Sequence, residues 1–329
     1  MMRTRAQGDL RLRAWALGVT VLLLAGCHPE QGAPDPRARE LLWDIQRAQK
    51  GNNYTGTLAL IDSALVVAPR YPSLYFTRGQ LLTKLYRFDE AQAAFEKALE
   101  LHPRYVGAAY HLGNNAFFVG RNRDALRYYW QEHARITGSS AKPALASVLL
   151  QLGRVYARLG IADSARWAYE ESLAVQENNA QAWAWLAELS EDAGRLEDAL
   201  REARRAFALE PENVEHQYLV GALGFRMGAL EEAEGHLRSV VNQAPWHAGA
   251  HYNLGRCLLA QGREAEAAPF LAATDSLQEL QANIILAKFA VERNPANRER
   301  WLDLASLYMQ TGQQKEASEA LVVARQLGS

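Results

Sequence analysis

The feature that most constrains this fold is a pair of small residues that recurs twelve positions apart. A glycine or alanine is followed by an alanine at this spacing in seven places, namely Gly79 and Ala91, Gly113 and Ala125, Gly153 and Ala165, Ala187 and Ala199, Gly221 and Ala233, Gly255 and Ala267, and Ala305 and Ala317. In six of the seven a glycine lies five residues before the alanine, and the first pair has Tyr86 there. A spacing maintained along the chain predicts a structural repeat.

The repeat predicts antiparallel pairs of α-helices. A small residue midway along one helix allows the backbone of the next helix to approach closely where the two cross. The intervening glycine suits the reversal of the chain, because glycine tolerates a positive φ angle. Apolar residues recur between these landmarks at helical spacing, as at Leu81, Leu82 and Leu85. The sequence therefore predicts an all-α fold built from helical hairpins.

The length of the unit links the repeat to a known family. Pro69 to Pro103 is a step of 34 residues, and Pro211 to Pro245 is another. This period, the run 89–103 and the Trp-containing runs 183–187 and 301–305 resemble the tetratricopeptide repeat (TPR) with its W-x-x-L-G-x-x-Y, A-x-x-x-F and P signature. The resemblance implies a right-handed TPR α-solenoid of about eight helix-turn-helix repeats.

Eight units follow from this period, and two of them are longer than the rest. The units are expected at 38–71, 72–105, 106–145, 146–179, 180–213, 214–247, 248–297 and 298–329. The third is lengthened near 137–140, where Gly138 and two serines predict a flexible loop. The seventh has room for one extra helix over 276–293.

The first 26 residues are predicted to be a secretory signal peptide. Four arginines precede a nearly apolar run from Ala14 to Ala25, which is too short to span a bilayer comfortably. The run ends in Leu24-Ala25-Gly26-Cys27, which resembles the lipobox of bacterial lipoproteins. This resemblance implies that Cys27 is lipidated. The alternative is an ordinary buried cysteine beside an N-terminal helix.

The lipobox resemblance also implies a location. Residues 27–37 contain three prolines and predict a flexible tether between the lipid and the solenoid. A lipid-anchored protein of the bacterial cell envelope is therefore expected. The outer membrane is favoured over the inner one, because His28 and not an aspartate follows Cys27.

The net charge argues against nucleic-acid binding, and the cysteine content argues against an internal disulfide. The whole chain has a formal net charge of −1, and removal of residues 1–26 takes away four arginines and Asp9, which leaves −4. A mildly acidic chain has no electrostatic reason to bind nucleic acid. With Cys27 lipidated only Cys257 remains, so no internal disulfide is expected.

The sequence contains no catalytic motif that would mark an enzyme. Phosphate-binding loops, nucleophile elbows and paired C-x-x-C metal sites are all missing from it. His247 and His251 lie four residues apart and suit a metal, but His251 occupies a position where other units carry a large planar side chain, which favours a packing role. We therefore expect no catalytic residue, no metal and no cofactor.

The TPR resemblance implies a concave groove lined by the first helix of each unit. Exposed groove positions that are not needed for helix pairing are expected to bind a protein or an extended peptide. The partner-binding residues predicted on this basis are Phe76, Tyr110, Asn114, Phe117, Phe118, Arg154, Arg158, Tyr218, Phe225, Arg226, Tyr252 and Arg256. The alternative is that some of these aromatic residues only pack between units. The expected function is that of a membrane-anchored scaffold or adaptor, and the alternative is an accessory subunit that presents substrate to a separately encoded enzyme.

Overall fold

The structure is a computed structural model that describes residues 40–41, 43–45, 47–48, 54–138, 142–294 and 297–327. The predicted signal peptide, Cys27 and the tether lie outside the described residues. The chain divides into two compact units, Met1–Ala108 and Ala109–Ser329, which are described separately below.

The described part of the first unit is helical. Its helices are α1 (Tyr54–Val67), α2 (Pro72–Lys84) and α3 (Phe88–Leu101). Helix α2 starts at a proline, which suits the first turn because the N–H that proline lacks has no partner there. Ile61 and Ala64 of α1 are fully buried against Leu74 and Leu81 of α2, with Ile45 in the same cluster. The first repeat therefore shares its core with the first helix of the second repeat.

The second unit continues the helical pairs, and no residue described in it belongs to a strand. Its helices are α4 (Ala108–Phe118), which begins at the boundary, α5 (Asn122–Ile136), α6 (Lys142–Arg158), α7 (Ala162–Val175), α8 (Ala180–Asp192), α9 (Leu196–Leu209), α10 (Val214–Arg226), α11 (Leu230–Gln243), α12 (Ala248–Ala260), α13 (Glu264–Arg293), α14 (Arg298–Gln310) and α15 (Gln314–Gln326). From α6 onward, the principal contacts of each helix are with the helices before and after it in the chain, and α10 also contacts α12.

The predicted helical repeat is confirmed, with two shifted starts, one of which is α4, which begins at Ala108 and not at 106. Helices α8, α10, α12 and α14 begin at 180, 214, 248 and 298, where the sequence places the starts of units. Helix α6 begins at Lys142, four residues before the predicted 146. Pro143 explains the longer helix, since proline is favoured in a first turn.

The glycines between paired helices adopt the predicted left-handed conformation. The six at positions 120, 160, 194, 228, 262 and 312 have φ angles from +73° to +79°. Tyr86 takes the same place in the first such hairpin with φ of +58°, and it is the one non-glycine residue with positive φ in the described ranges. Its ring packs edge-on against Phe88 at 5.7 Å between centroids.

The partner of each small first-helix residue differs from the expected one. Where that residue is glycine, its nearest neighbour on the second helix is the side chain sixteen residues later in the sequence, and not the alanine twelve residues later. A Cβ built on Gly153 would lie 2.3 Å from Cε1 of Tyr169, and one on Gly113 would lie 2.5 Å from Cε1 of Tyr129. The missing Cβ therefore makes room for a large side chain of the second helix.

The extra helix predicted over 276–293 is wrong as a separate element. These residues continue α13, which runs unbroken for 30 residues from Glu264 to Arg293. No glycine occurs in this stretch, and its one proline, Pro269, lies near its start, so nothing in the sequence ends the helix earlier. Neither α13 nor any other helix in the described ranges combines the length and the apolar character needed to cross a bilayer.

Candidate functional site

The first helices of the second unit are linked by side chains that reach from one to the next. We call the surface formed by α4, α6, α8, α10 and α12 the first-helix surface. At its start the guanidinium of Arg154 on α6 lies between two rings, 4.8 Å from the centroid of Phe117 on α4 and 4.9 Å from that of Trp185 on α8. Arg158 covers the same Phe117 ring at 3.9 Å and donates a hydrogen bond to the Phe117 carbonyl oxygen at 3.1 Å. Two arginines are thus held in place by stacking and remain partly accessible.

The middle of the first-helix surface is acidic. Glu188, Glu191 and Asp192 all lie in the last turns of α8. Burial of part of the Glu188 side chain raises the pKa of its carboxyl, and the neighbouring charges of Asp192, Glu191 and Glu215 raise it further. Glu191 also forms an ion pair with Arg226 of α10. The three carboxylates of α8 therefore exceed the single positive charge of Arg226.

The far end of the surface combines tyrosines with a further arginine. The Tyr218 hydroxyl on α10 accepts a hydrogen bond from Nδ2 of Asn253 on α12 at 3.1 Å, and its ring packs on His247 with centroids 4.3 Å apart. Arg256 on α12 lies over two rings, at 5.3 Å from Phe225 and 5.5 Å from Tyr252. Tyr252 is 42% exposed, so its ring is presented to solvent.

The twelve predicted site residues differ in where the structure places them. Arg154, Arg158, Tyr218, Phe225, Arg226, Tyr252 and Arg256 are brought together on the first-helix surface as described above. Phe117 lies on it but is only 8% exposed, so its ring supports the arginines and is not itself presented. Phe76 belongs to the first unit, where its ring packs on Phe95 and Tyr105 at 5.7 and 5.0 Å.

The other three predicted residues lie on α4. Asn114 accepts a hydrogen bond from the Tyr129 hydroxyl at 2.7 Å, and Tyr110 packs on the Tyr129 ring at 6.0 Å. Both side chains are half-buried, so they also hold α4 to α5. Phe118 is 39% exposed. Phe117 is thus in contact with the next unit, whereas the ring contacts of Phe76 with Phe95 and Tyr105 lie within its own unit, 72–105.

The sequence analysis missed Trp185 and Asn253. In the fifth unit Ala184 occupies the position where other units have an aromatic residue, and the aromatic ring stands one residue later, at Trp185. Asn253 has the same offset in its own unit. Comparing the position that follows each aromatic column would have found both residues.

The two histidines considered as metal ligands have separate structural roles. Nδ1 of His247 accepts a hydrogen bond from the Ala250 backbone N–H at 3.1 Å and so caps α12, while Nε2 of His251 lies 3.0 Å from the Pro245 carbonyl oxygen. Cys257 is fully buried, which raises the pKa of its thiol. No group of three or more His, Cys, Asp or Glu side chains in the described ranges is arranged to hold a metal ion.

Comparison with known proteins identifies the repeat. Family models described as tetratricopeptide repeats match residues 72–105, 150–206, 191–246 and 225–284. The protein CTR9 homolog of Arabidopsis thaliana is 22% identical over 318 residues, which cover 86% of this chain and 28% of that protein. The chain thus spans less than a third of this relative.

Solved structures share the fold at low sequence identity. A tetratricopeptide repeat protein from Parabacteroides merdae is 18% identical, with a TM-score of 0.55 over 73% of this chain and 93% of that one. PilW, a widely conserved type IV pilus biogenesis factor, is 20% identical, with a TM-score of 0.56 over 67% of this chain and 99% of that one. PilF of Pseudomonas aeruginosa is 13% identical, with a TM-score of 0.57 over 65% and 95%. These structures show the fold, and the tetratricopeptide-repeat models, which together match more than half of the chain over 72–105 and 150–284, show that the chain belongs to the tetratricopeptide-repeat family.

Proposed function

We propose that this protein is a membrane-anchored adaptor that holds an extended segment of a partner protein on its first-helix surface. The family as a whole provides surfaces for protein–protein interaction and not for catalysis, and we propose no catalytic role for this chain. The observation that carries the proposal is the row of stacked arginine and aromatic side chains, from Arg154 and Trp185 to Tyr252 and Arg256. Arg154, Tyr252 and Arg256 lie outside the helix-pairing core, and Trp185 packs against its edge.

The chemistry of the surface defines the kind of segment that fits. Tyrosine, tryptophan and arginine are the usual anchors of protein interfaces, because they bury a large area at a small cost in conformational entropy. The sign of the charge changes along the surface, from Arg154 and Arg158 to the carboxylates of α8 and then to Arg256. We expect a segment with apolar or aromatic side chains and with a basic residue opposite Glu188, because the carboxylates of Glu191 and Asp192 add negative charge beside it.

A photo-crosslinking experiment tests this location. Tyr252 is replaced by the photoreactive residue benzoylphenylalanine in the full chain, and cells are irradiated before the membranes are isolated. The matched control places the same residue at Trp167 on the second helix α7, whose exposure of 41% is close to the 42% of Tyr252. We expect a discrete adduct from position 252 and none from position 167.

The identity of the adduct separates the two functions considered from the sequence. Structural envelope proteins would support the adaptor, and a single dominant enzyme would support an accessory subunit that presents substrate. Equal crosslinking from positions 252 and 167 would show that the first-helix surface is not the binding site.

The membrane anchor and the envelope location are supported by the N-terminal sequence. The basic and apolar lead and the Leu24-to-Cys27 run are the observations behind them. We propose that Cys27 is lipidated and that the protein resides in the bacterial outer membrane. The likeness to PilW concerns the fold alone, and a role in envelope assembly is our proposal.

Replacement of the anchoring residue gives a direct prediction. Cys27→Ser removes the thiol that would carry the lipid, so we expect the protein either to become soluble or to keep its uncleaved leader. Membrane fractionation and the apparent mass measure this. Cys257→Ser is the matched control, because Cys257 is buried and should not affect processing. Normal processing and membrane association of Cys27→Ser would contradict the anchor.

A further inference from the structure

The second half of α13 is apolar on two opposite faces. On one face the side chains of Ile284 and Val291 are buried, with 5% and 2% of their surface exposed. Helix α14, the next helix in the chain, contacts α13. On the opposite side Leu286 is 65% exposed and Phe289 is 56% exposed. An exposed apolar stripe of this kind on a helix surface indicates a place that another molecule covers.

The repeat explains why this face is uncovered. In the sequence, Ala98 of α3 lies five residues before Pro103, and Ala290 of α13 lies five residues before Pro295. This shared spacing allows the two helix sequences to be aligned. The aligned pairs are Asn283 with Ala91, Leu286 with Ala94 and Ala290 with Ala98. The three alanines of α3 are 0–3% exposed in the hairpin that α3 forms with α2. The extension of α13 has no first helix of its own, so the corresponding positions are open.

Charged residues flank the open face in a pattern with opposite signs at its two ends. We call the stripe of Glu279, Ala282, Leu286, Phe289 and Arg293 the α13 outer face. Its members are spaced by three, four, three and four residues, so they share one side of the helix. Glu279 and Arg293 are exposed, each seven residues from Leu286, and neither forms an ion pair with a described residue.

We propose that the α13 outer face binds the same face of a second copy of this chain, with the two helices antiparallel and Leu286 at the two-fold axis. In this arrangement Glu279 of each copy meets Arg293 of the other, and Ala282 meets Ala290, where two small residues permit close approach. A parallel arrangement would instead place like charges together. A membrane surface fits less well, because the stripe carries one negative and one positive charge and no basic excess.

Site-specific crosslinking tests the two-fold arrangement in the full chain. Leu286→Cys places the two thiols next to each other, so a short bismaleimide added to intact membranes should join two copies. The native Cys257 is buried, so it should not react with the bismaleimide. Gly235→Cys is the matched control, because Gly235 is exposed on a different helix, α11. Glu279→Cys alone should not crosslink, because the two copies of residue 279 lie about 21 Å apart at 1.5 Å per residue. Co-expressed Glu279→Cys and Arg293→Cys chains should crosslink to each other.

Charge reversal gives an independent readout in the Leu286→Cys background. Glu279→Arg or Arg293→Glu alone creates two like-charged contacts per dimer, so we expect about fivefold less crosslinked dimer. The double reversal restores both pairs and should restore the dimer. Crosslinking of Leu286→Cys no stronger than that of Gly235→Cys, or its crosslinking to a different protein, would overturn the proposal. Equal yields from the single and double reversals would also overturn it.

Discussion

Gly153→Ala is expected to lower the free energy of unfolding by about 1–3 kcal/mol, although alanine is the better helix former. The new Cβ would lie 2.3 Å from the Tyr169 ring, whose residue is 2% exposed and has no room to move. Urea denaturation followed by circular dichroism measures the change. Gly235→Ala is the matched control, since nothing lies within 4 Å of a Cβ there, and it should gain about 0.5–1 kcal/mol.

A double-mutant cycle shows whether the ring causes the loss. Tyr169→Ala alone is expected to cost about 3–5 kcal/mol through the cavity it leaves. In that background Gly153→Ala should become neutral or stabilising, because the Cβ now enters empty space. The protein already contains this combination at Ala187 and Ala203, which have the same spacing and are both fully buried. Additive losses in the double mutant would contradict the steric explanation.

Tyr252→Ala combined with Arg256→Ala is expected to weaken partner binding at least about 100-fold. Loss of a tyrosine or an arginine anchor typically costs about 2 kcal/mol or more each, and a factor of 100 corresponds to about 2.8 kcal/mol. Both side chains are exposed, so the helical circular dichroism signal and the unfolding midpoint should change little. Binding is measured with the segment recovered by photo-crosslinking at position 252.

The control for this pair is Trp167→Ala, which removes an equally exposed aromatic ring from a second helix. It should leave binding unchanged. Retention of binding by the Tyr252 and Arg256 double variant would remove these residues from the site. A large fall in its unfolding midpoint would instead assign them a structural role.

Most of the fold could be predicted from spacing alone. The glycines between paired helices follow from local backbone chemistry, because a chain that reverses there needs positive φ, and this holds even for Tyr86. The starts of α8, α10, α12 and α14 follow from the period. Local rules failed at 276–293, where a separate extra helix was predicted and α13 instead continues without a break to Arg293.

The candidate site was harder to predict because it depends on contacts between units. The sequence identified which positions face outward, but it could not show that Arg154 lies between Phe117 and Trp185, residues that are 68 positions apart. Exposure was also misjudged for Phe117, whose ring is covered by the two arginines of the next unit. Side-chain stacking between helices leaves no periodic signal in the sequence.

The neighbour-to-neighbour packing of α6 to α15 has a consequence for how such a protein can change over generations. Since each hairpin rests mainly on the one before and the one after, no central core ties the two ends of this region together. Duplication or deletion of one hairpin therefore disturbs two junctions and leaves the rest intact. New binding preferences can arise at one point along the array while older ones persist elsewhere.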